Sequence, residues 1–314
     1  MKKLFMVIPC YNEEAVLHET AKRMQEKYAE LMQKQAITSD SRVLFVDDGS
    51  KDKTWELIKG LVQSNEIFAG IKLSRNRGHQ NAVLAGLLTA KDEADCVISM
   101  DADLQDDINA IDAFLEAHAN GAEVVYGVRS SRKTDTAFKR NTALAFYTLM
   151  QKLGVEVVYN HADYRLMSKK VLEHFADYKE VNLFLRGMVP LVGFKSAKVE
   201  YVRNERFAGE SKYPLKKMIA FALDGITSLS IKPIRLIFSC GMIIFLLSLF
   251  VLLYSLLTHL LGNTVPGWTS ILASIWMLGG IQLLSIGVIG EYIGKIYNET
   301  KARPRFIIEQ YLKH

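Results

Sequence analysis

The chain has 314 residues, 49% of them hydrophobic, and carries a formal net charge of +5 at pH 7. This length allows one large domain or two ordinary ones. Its three cysteines are scattered along the chain, which argues against a disulfide framework and is typical of a reducing compartment. No cysteine and histidine spacing indicates a zinc site, and the apolar stretch after Met1 is too short to predict a signal peptide.

Short apolar runs alternate with helical patterns through the first part of the chain. Runs typical of buried strands occur at residues 4–9, 42–46, 67–73, 97–100 and 122–128. Helices are predicted between them at residues 13–35, 52–61, 81–90 and 107–119. Strands that alternate with helices at this spacing predict right-handed βαβ crossovers and a mostly parallel sheet of the α/β class.

A polar cluster follows each of these predicted strands. The clusters are Tyr11-Asn12-Glu13, Asp47-Asp48, Arg75-Asn76, Asp101 with Asp103, and Arg129. Ligands bind open α/β sheets at the carboxyl ends of the strands, so we expect these clusters to converge on one nucleotide-type site. Asn12 is also the predicted N-cap of the first helix.

The acidic stretch after the fourth strand runs Asp101-Ala102-Asp103-Leu104-Gln105. Oxygen ligands two residues apart suit a hard divalent cation that also contacts phosphate, such as Mg²⁺ or Mn²⁺. On its own, the same pattern is equally typical of a solvated acidic turn. The convergence of the other strand ends on the same edge favours the binding site.

Beyond the fifth strand the pattern becomes weaker. A helix is predicted at residues 136–153, another begins at Ser168, and a late strand occupies residues 196–202. Residues 214–230 have an apolar face beside two lysines, which indicates an amphipathic helix at a membrane surface. A helix packed wholly on the preceding domain is the alternative for this segment.

Two long runs, residues 236–258 and 260–290, contain no charged residue. Each exceeds the roughly 20 apolar residues that cross a bilayer, so two membrane spans are predicted. Lys and Arg flank the outer ends of the pair but are absent from the connecting loop at 262–267, which predicts that both termini are cytoplasmic. The basic segment before the first span favours anionic lipid over nucleic acid as its partner. Its charged residues are Arg203, Arg206, Lys212, Lys216, Lys217, Lys232 and Arg235.

Four motifs in this order resemble those of the family 2 glycosyltransferases of GT-A fold. They are residues 7–14 (VIPCYNEE), 46–50 (VDDGS), 101–106 (DADLQD) and 162–166 (ADYRL). With residues 203–212 and the two spans, the chain is similar to the polyisoprenyl-phosphate glycosyltransferases. That group contains dolichol-phosphate mannose synthase and the bactoprenol glucosyl transferases of the GtrB type. The resemblance covers nearly the whole chain.

The resemblance implies a division of the chain into four parts. A cytoplasmic GT-A domain with a Rossmann-like, mostly parallel sheet would occupy residues 1–213, and an amphipathic interface helix residues 214–234. A two-span transmembrane hairpin would follow at 235–290, and a cytoplasmic C-terminal tail at 291–314. The protein would then be a multi-pass protein of the bacterial inner membrane.

The resemblance also implies roles for individual residues. Nucleotide-sugar binding would fall to Pro9, Tyr11, Asn12, Glu13, Asp47, Asp48 and Asp101. The ligands of Mg²⁺ or Mn²⁺ would be Asp101, Asp103 and Gln105. The acceptor phosphate would be held by Arg129, Arg206, Ser211 and Lys212. The catalytic groups would be Asp163, Asp103 and Arg129.

Asp163 matches the position usually proposed as the general base. A phosphate monoester acceptor has a second pKa near 6, so it is already largely ionised and needs little deprotonation. We therefore expect Asp163 mainly to orient groups around the reacting carbon or to pair with Arg165. Arg140 and Arg186 are assigned to surface or structural roles, and His79 and His161 to capping or packing.

The implied reaction is inverting transfer of a hexose to a polyprenyl phosphate, which makes a lipid-linked sugar for modifying cell-surface glycans. UDP-glucose and undecaprenyl phosphate are the first choices. GDP-mannose, UDP-galactose and UDP-N-acetylhexosamine fit the same motifs. A separate flippase and a downstream glycosyltransferase are expected as partners, while homo-oligomer formation is left open.

The sequence lacks the motifs that are typical of the competing protein classes. No Gln-x-x-Arg-Trp motif of processive polysaccharide synthases occurs, no P-loop is present, and the first strand lacks the glycine pattern of a dinucleotide-binding fold. A non-enzymatic nucleotide-sugar sensor is disfavoured because the metal-ligand pattern and the acceptor cations occur together.

Overall fold

The computed structural model describes residues 1–130, 161–204, 226–228, 230–260 and 267–314. The helix predicted at 136–153, most of the helix predicted at 214–230, and Arg140 lie outside these ranges. So do three residues assigned to the acceptor phosphate, Arg206, Ser211 and Lys212.

An eight-stranded sheet forms the centre of the α/β domain, in the order β7-β5-β6-β4-β1-β2-β3-β8. The strands are β1 (Leu4–Cys10), β2 (Arg42–Asp47), β3 (Phe68–Leu73), β4 (Cys96–Ser99), β5 (Val124–Arg129), β6 (His161–Ser168), β7 (Ser196–Tyr201) and β8 (Ile308–Leu312). Neighbouring strands pair in parallel except where β6 or β8 takes part, and these two strands run against their neighbours. The carboxyl ends of β1 to β5 therefore lie at the same edge.

Helices cover both faces of this sheet. They are α1 (Leu17–Gln33), α2 (Thr54–Ser64), α3 (His79–Ala90), α4 (Ala110–Ala119), α5 (Lys169–Phe175) and α6 (Leu185–Leu191). Apolar side chains of α1, α2 and α4 pack in one core cluster, and those of α3, α5 and α6 pack in another on the opposite face. The central strands are buried on both faces, which explains why they are nearly continuous apolar runs.

The five predicted strands and the α/β class are confirmed, but the sheet is mixed. One of its antiparallel strands, β6, lies between β5 and β4 and contains residues 162–166, to which the sequence pattern assigned no strand. Tyr164, Arg165, Leu166 and Met167 are all buried there. Because both faces of β6 are covered, its sequence shows no alternation of apolar and polar residues, and it contains a buried arginine.

Two long helices, α7 (Lys232–Leu260) and α8 (Trp268–Thr300), follow the sheet domain. Within the described residues, one helical segment, Met277–Thr300, is long and apolar enough to cross a membrane. The helix predicted to leave the bilayer at residue 290 continues to Thr300. The tail beyond it then returns to the domain as strand β8, which the sequence pattern did not predict. This strand pairs antiparallel with β3.

Candidate active site

The loops after β1 and β2 are joined by hydrogen bonds. Asn12 donates its N–H to Ser50 Oγ at 3.0 Å, and its Oδ1 accepts the N–H of Lys51 at 2.8 Å. Glu13 donates its N–H to Thr54 Oγ1 at 2.9 Å. The two loops therefore form one platform at the carboxyl edge of the sheet.

This arrangement corrects the prediction that Asn12 caps the first helix. The helix begins at Leu17, its N-cap is Val16, and no side chain caps it. Asn12 has a positive φ of 53°, a conformation that asparagine tolerates better than most residues, and its side chain joins the loops instead.

Asp47 and Asp48 are both buried at the end of β2 but have different partners. The carboxylate of Asp48 accepts the N–H of Arg77 at 2.7 Å and that of Gly78 at 2.9 Å, so it holds the loop after β3. Asp47 Oδ1 accepts the N–H of Ser50 at 3.2 Å. Among the described residues, no hydrogen-bond partner reaches Asp47 Oδ2. Burial raises the pKa of both carboxyls.

Gly49 allows the turns after β2 and β3 to touch. Its φ is +66°, and a Cβ at this position would lie 2.5 Å from the backbone nitrogen of Asn76. Only glycine fits such a close approach without displacing the neighbouring backbone. The polar cluster Arg75-Asn76 is thereby brought against the turn after β2, as the sequence pattern predicts for the strand ends.

Pro9 and Tyr11 lie at the end of β1. Pro9 is buried and sits beyond the last partner on β4, because that pairing ends with Val7 opposite Ser99. The proline therefore removes no ladder hydrogen bond on that side. Tyr11 is partly exposed on the platform.

The turn after β4 contains Asp101, Asp103 and one residue in a strained backbone conformation. Leu104 is buried with a φ of 57°, which costs a non-glycine residue about 1–2 kcal/mol. Asp103 Oδ1 accepts the N–H of Gln105 at 3.2 Å, which closes the turn. Strain of this kind is common at functional sites because the surrounding structure must hold it in place.

Gln105 has partners that the sequence pattern did not predict. Its side-chain oxygen accepts a hydrogen bond from Arg203, and its backbone carbonyl accepts the N–H of Asn204 at 2.9 Å. Gln105 thus anchors the segment after β7. Within the described ranges, no group of three or more His, Cys, Asp or Glu side chains is placed to hold a metal. Asp101 and Asp103 remain as a carboxylate pair.

Asp163 on β6 is bound by two guanidinium groups. Arg165 Nη2 donates to Oδ1 at 2.6 Å, and Arg186 donates through Nε to Oδ1 at 3.1 Å and through Nη2 to Oδ2 at 2.9 Å. The expected pairing of Asp163 with Arg165 is present. Burial alone would raise the pKa of Asp163, but Arg186, His79 and Arg165 outweigh it and hold the pKa well below its usual range.

His79, the first residue of α3, lies between the two acidic groups. Its Nε2 is 3.6 Å from Asp101 Oδ1 and 3.7 Å from Asp163 Oδ2. Burial would lower its pKa, but the contact with Asp163 and the charge of Asp101 raise the pKa to about 9. His79 is therefore a charged member of the site and not only a packing residue.

A second cluster joins Arg129 to the same edge. Tyr201, at the end of β7, donates a hydrogen bond to buried Asp106, and Arg129 interacts with both groups. Burial raises the pKa of Asp106 to about 6, with a further contribution from the charge of Asp101. Arg203 is close enough to Arg129 for the two charges to repel each other.

The structure brings Asp101, Asp103, Gln105, Arg129 and Asp163 together at one edge, as predicted. It adds His79, Arg186 and Arg203, which sequence reasoning did not place in the site. Arg186 follows an apolar stretch far along the chain and has no local signal. His79 is preceded by the polar cluster after β3, and that position is the one clue that the sequence offers for it.

Comparison with known proteins gives consistent matches over nearly the whole chain. Residues 5–175 match the family model "Glycosyl transferase family 2", and residues 232–296 match "GtrB C-terminal hairpin". The glycosyltransferase YkoT of Bacillus subtilis is 55% identical over 306 residues, covering 98% of this chain and 91% of that protein. The bactoprenol glucosyl transferase of Shigella phage SfX is 40% identical over 309 residues, covering 98% and 99%.

One solved structure that the chain matches is glucosyl-3-phosphoglycerate synthase from Mycobacterium tuberculosis in complex with Mn²⁺, UDP and phosphoglyceric acid. The TM-score is 0.45 at 16% sequence identity, covering 73% of this chain and 77% of that one.

Proposed function

Since the chain belongs to glycosyl transferase family 2, we propose that it transfers glucose from a nucleotide sugar, UDP-glucose as first choice, to a polyprenyl phosphate. The observation that carries this proposal is the meeting of a carboxylate pair and an arginine cluster at one sheet edge. The first suits a metal-bound diphosphate, and the second suits a phosphate acceptor. Relatives named bactoprenol glucosyl transferase, similar over almost their full length, support the choice of glucose and of undecaprenyl phosphate.

Mg²⁺ or Mn²⁺ fits the site at Asp101 and Asp103. Burial raises the pKa of Asp101, the charge of His79 lowers it, and the carboxylates Asp163 and Asp103 raise it again, so the pKa is raised overall. The carboxylate oxygens of Asp101 and Asp103 are the kind of ligand that a hard divalent cation prefers. Such a cation stabilises the charge that develops on the leaving diphosphate. The remaining coordination positions would be filled by phosphate oxygens, because Gln105 is already bonded to Arg203.

The platform after β1 and β2 would hold the nucleoside. Asp47 Oδ2 supplies a buried acceptor with no partner in the described residues, which suits an N–H or O–H group of a base or ribose. Tyr11, on the loop after β1 that is hydrogen-bonded to the loop after β2, offers a partly exposed ring. Asp48 would act indirectly, since it holds the loop at Arg77 and Gly78.

The acceptor phosphate would lie against Arg129 and Arg203, with Arg206, Ser211 and Lys212 as further candidates from the sequence. Their charge orients an acceptor oxygen that is already ionised, so no strong base is needed. Asp163, with its lowered pKa, would not take a proton at neutral pH. It would instead hold Arg165 and Arg186 in position beside the reacting groups.

We place the α7–α8 hairpin in a bilayer as two spans. Large apolar side chains along both helices are exposed, among them Phe238 at 67%, Phe250 at 71% and Leu283 at 73%. A contiguous apolar surface of this size needs a non-aqueous cover. The domain before α7 and strand β8 after α8 belong to one sheet domain, so both ends of the hairpin lie on the same side, which we take to be cytoplasmic.

The test is a reconstitution with defined substrates. Purified protein would be incubated with undecaprenyl phosphate, Mg²⁺ or Mn²⁺, and one sugar at a time: UDP-glucose, UDP-galactose, UDP-N-acetylglucosamine or GDP-mannose. We expect a metal-dependent glucosyl lipid from UDP-glucose. A product from another donor would replace glucose in the proposal, and no lipid-linked product from any donor would refute it.

A further inference from the structure

A carboxylate in the last turn of α8 holds a loop of the catalytic domain. Glu299 accepts the N–H of Val181 at 3.0 and 2.9 Å and the N–H of Asn182 at 2.8 Å. The side-chain amide of Asn182 donates to the same carboxylate at 2.5 Å and also reaches the carbonyl of Lys295 at 3.3 Å. Residues 181 and 182 are therefore fixed to α8 through both backbone and side chain.

The other end of this loop lies in the candidate site. Leu185 donates its N–H to Gln80 Oε1 at 2.7 Å, and the next residue, Arg186, binds Asp163 through two nitrogens. Residues 181–186, here called the bridging segment, thus run from the long helix to the carboxylate at the centre of the site. Three residues separate Asn182 from Arg186.

The end of α8 lies beyond the reach of the bilayer. At 1.5 Å per residue, the 33 residues of α8 extend about 50 Å, whereas the hydrocarbon core is about 30 Å thick. The charged residues Glu291, Lys295 and Glu299 fall in the last third of the helix. Lys295 also donates to Ser228 Oγ at 2.9 Å, just before α7. The same helix end thus contacts the start of the hairpin and the catalytic domain.

We propose that Glu299 is a positioning residue for the transfer step. It holds the bridging segment so that Arg186 meets Asp163, and it thereby links the seating of the hairpin in lipid to the geometry of the site. This inference rests on the proposed function, because Arg186 and Asp163 are taken to stand beside the reacting groups. A misplacement of about 1 Å at such a site can lower the rate about 100-fold.

The first test is a set of kinetic comparisons in lipid vesicles. Glu299→Ala removes the carboxylate that accepts hydrogen bonds from Val181 and Asn182, and we expect kcat to fall at least about tenfold while the KM for UDP-glucose stays nearly constant. Glu299→Gln keeps one acceptor oxygen, so its kcat should fall less than that of Glu299→Ala. Glu291→Ala, an exposed glutamate two turns earlier on α8, is the matched control and should keep wild-type activity.

A double mutant tests whether Glu299 acts through Arg186. In an Arg186→Ala background, adding Glu299→Ala should lower kcat by less than about twofold, because the group that Glu299 positions is already absent. If the second substitution instead lowers kcat as much as it does in the wild-type background, Glu299 acts by another route and the inference is overturned.

Hydrogen–deuterium exchange separates this inference from the proposed reaction. In Glu299→Ala, amide exchange should become faster throughout residues 181–186 and remain unchanged in β1 and β2. Unchanged exchange at Leu185 and Arg186 would overturn the inference, whichever substrates the wild-type protein uses. An inactive wild type with the expected exchange pattern would overturn the proposed function and leave the structural link from Glu299 to Arg186 in place.

Discussion

Replacing Asp163 by asparagine should lower the free energy of unfolding of the protein and abolish most of its transfer activity. Arg165 is only 1% exposed, and Asp163 is the carboxylate on its Nη2. Leaving one member of a buried ion pair uncompensated costs about 3–5 kcal/mol. Asparagine keeps one acceptor oxygen, and Arg165 keeps its hydrogen bond to the Leu185 carbonyl, so we expect the lower end, about 3 kcal/mol. For a domain of this size, that loss lowers Tm by about 6–12 °C.

The assay pairs thermal unfolding with transfer rate over a range of pH. Because the pKa of folded Asp163 is lowered, the pair contributes stability above the unfolded pKa of about 3.9, and that contribution declines as the pH falls further. Asp163→Asn should therefore differ from wild type at pH 7 and converge with it in acid. Asp92→Asn, an exposed aspartate paired with Lys91, serves as the control.

Two results would refute this reasoning. A Tm within a degree or two of wild type at pH 7 would mean that Asp163 does not compensate Arg165. Activity of Asp163→Asn that recovers well above pH 7 would mean that the carboxylate acts as a general base, since hydroxide would then replace its function.

Other substitutions separate the remaining parts of the site. Asp103→Ala should abolish transfer while the fold, checked by circular dichroism, and the membrane insertion stay intact; near-normal transfer would argue against the metal site. Arg203→Ala should raise the KM for the lipid phosphate about tenfold or more, with little change in the KM for UDP-glucose; a change confined to the donor KM would contradict its assignment. Lys27→Met removes a buried ammonium that binds Asp112 and should lower Tm by a few degrees at pH 7. Burial would raise the pKa of Asp112, but Lys27 lowers it. The difference in Tm between Lys27→Met and wild type should therefore become smaller as the pH falls below about 4, where Asp112 loses its charge. A Tm difference that does not change with pH would exclude the Lys27–Asp112 pair as its cause.

The sequence predicts the first five strands well because each is an apolar run that is followed by a polar cluster. The convergence of Asp101, Asp103 and Arg129 follows from that pattern alone, since parallel strands present their carboxyl ends together. Local patterns therefore predict the edge where the site lies, and the motifs limit the classes of reaction that the site could perform.

The sequence pattern does not predict the parts of the structure that depend on contacts between distant residues. Strand β6 contains Asp163 and Arg165, and a buried arginine in a central strand contradicts the apolar pattern by which strands are recognised. Arg186 follows a segment that is hydrogen-bonded to Glu299, more than a hundred residues away. No local periodicity reports such a contact.

The position of strand β8 in the chain determines when the sheet can be completed during synthesis. The last residues of the chain supply this edge strand, and contacts such as Lys72 with Glu309 and Tyr311 with Glu93 hold it against the domain. A growing chain leaves the ribosome from its N-terminus, so the hairpin of α7 and α8 emerges before β8 does. The sheet can be completed only after the hairpin has been synthesised, and the finished catalytic domain is therefore one whose hairpin has already had the opportunity to enter the bilayer.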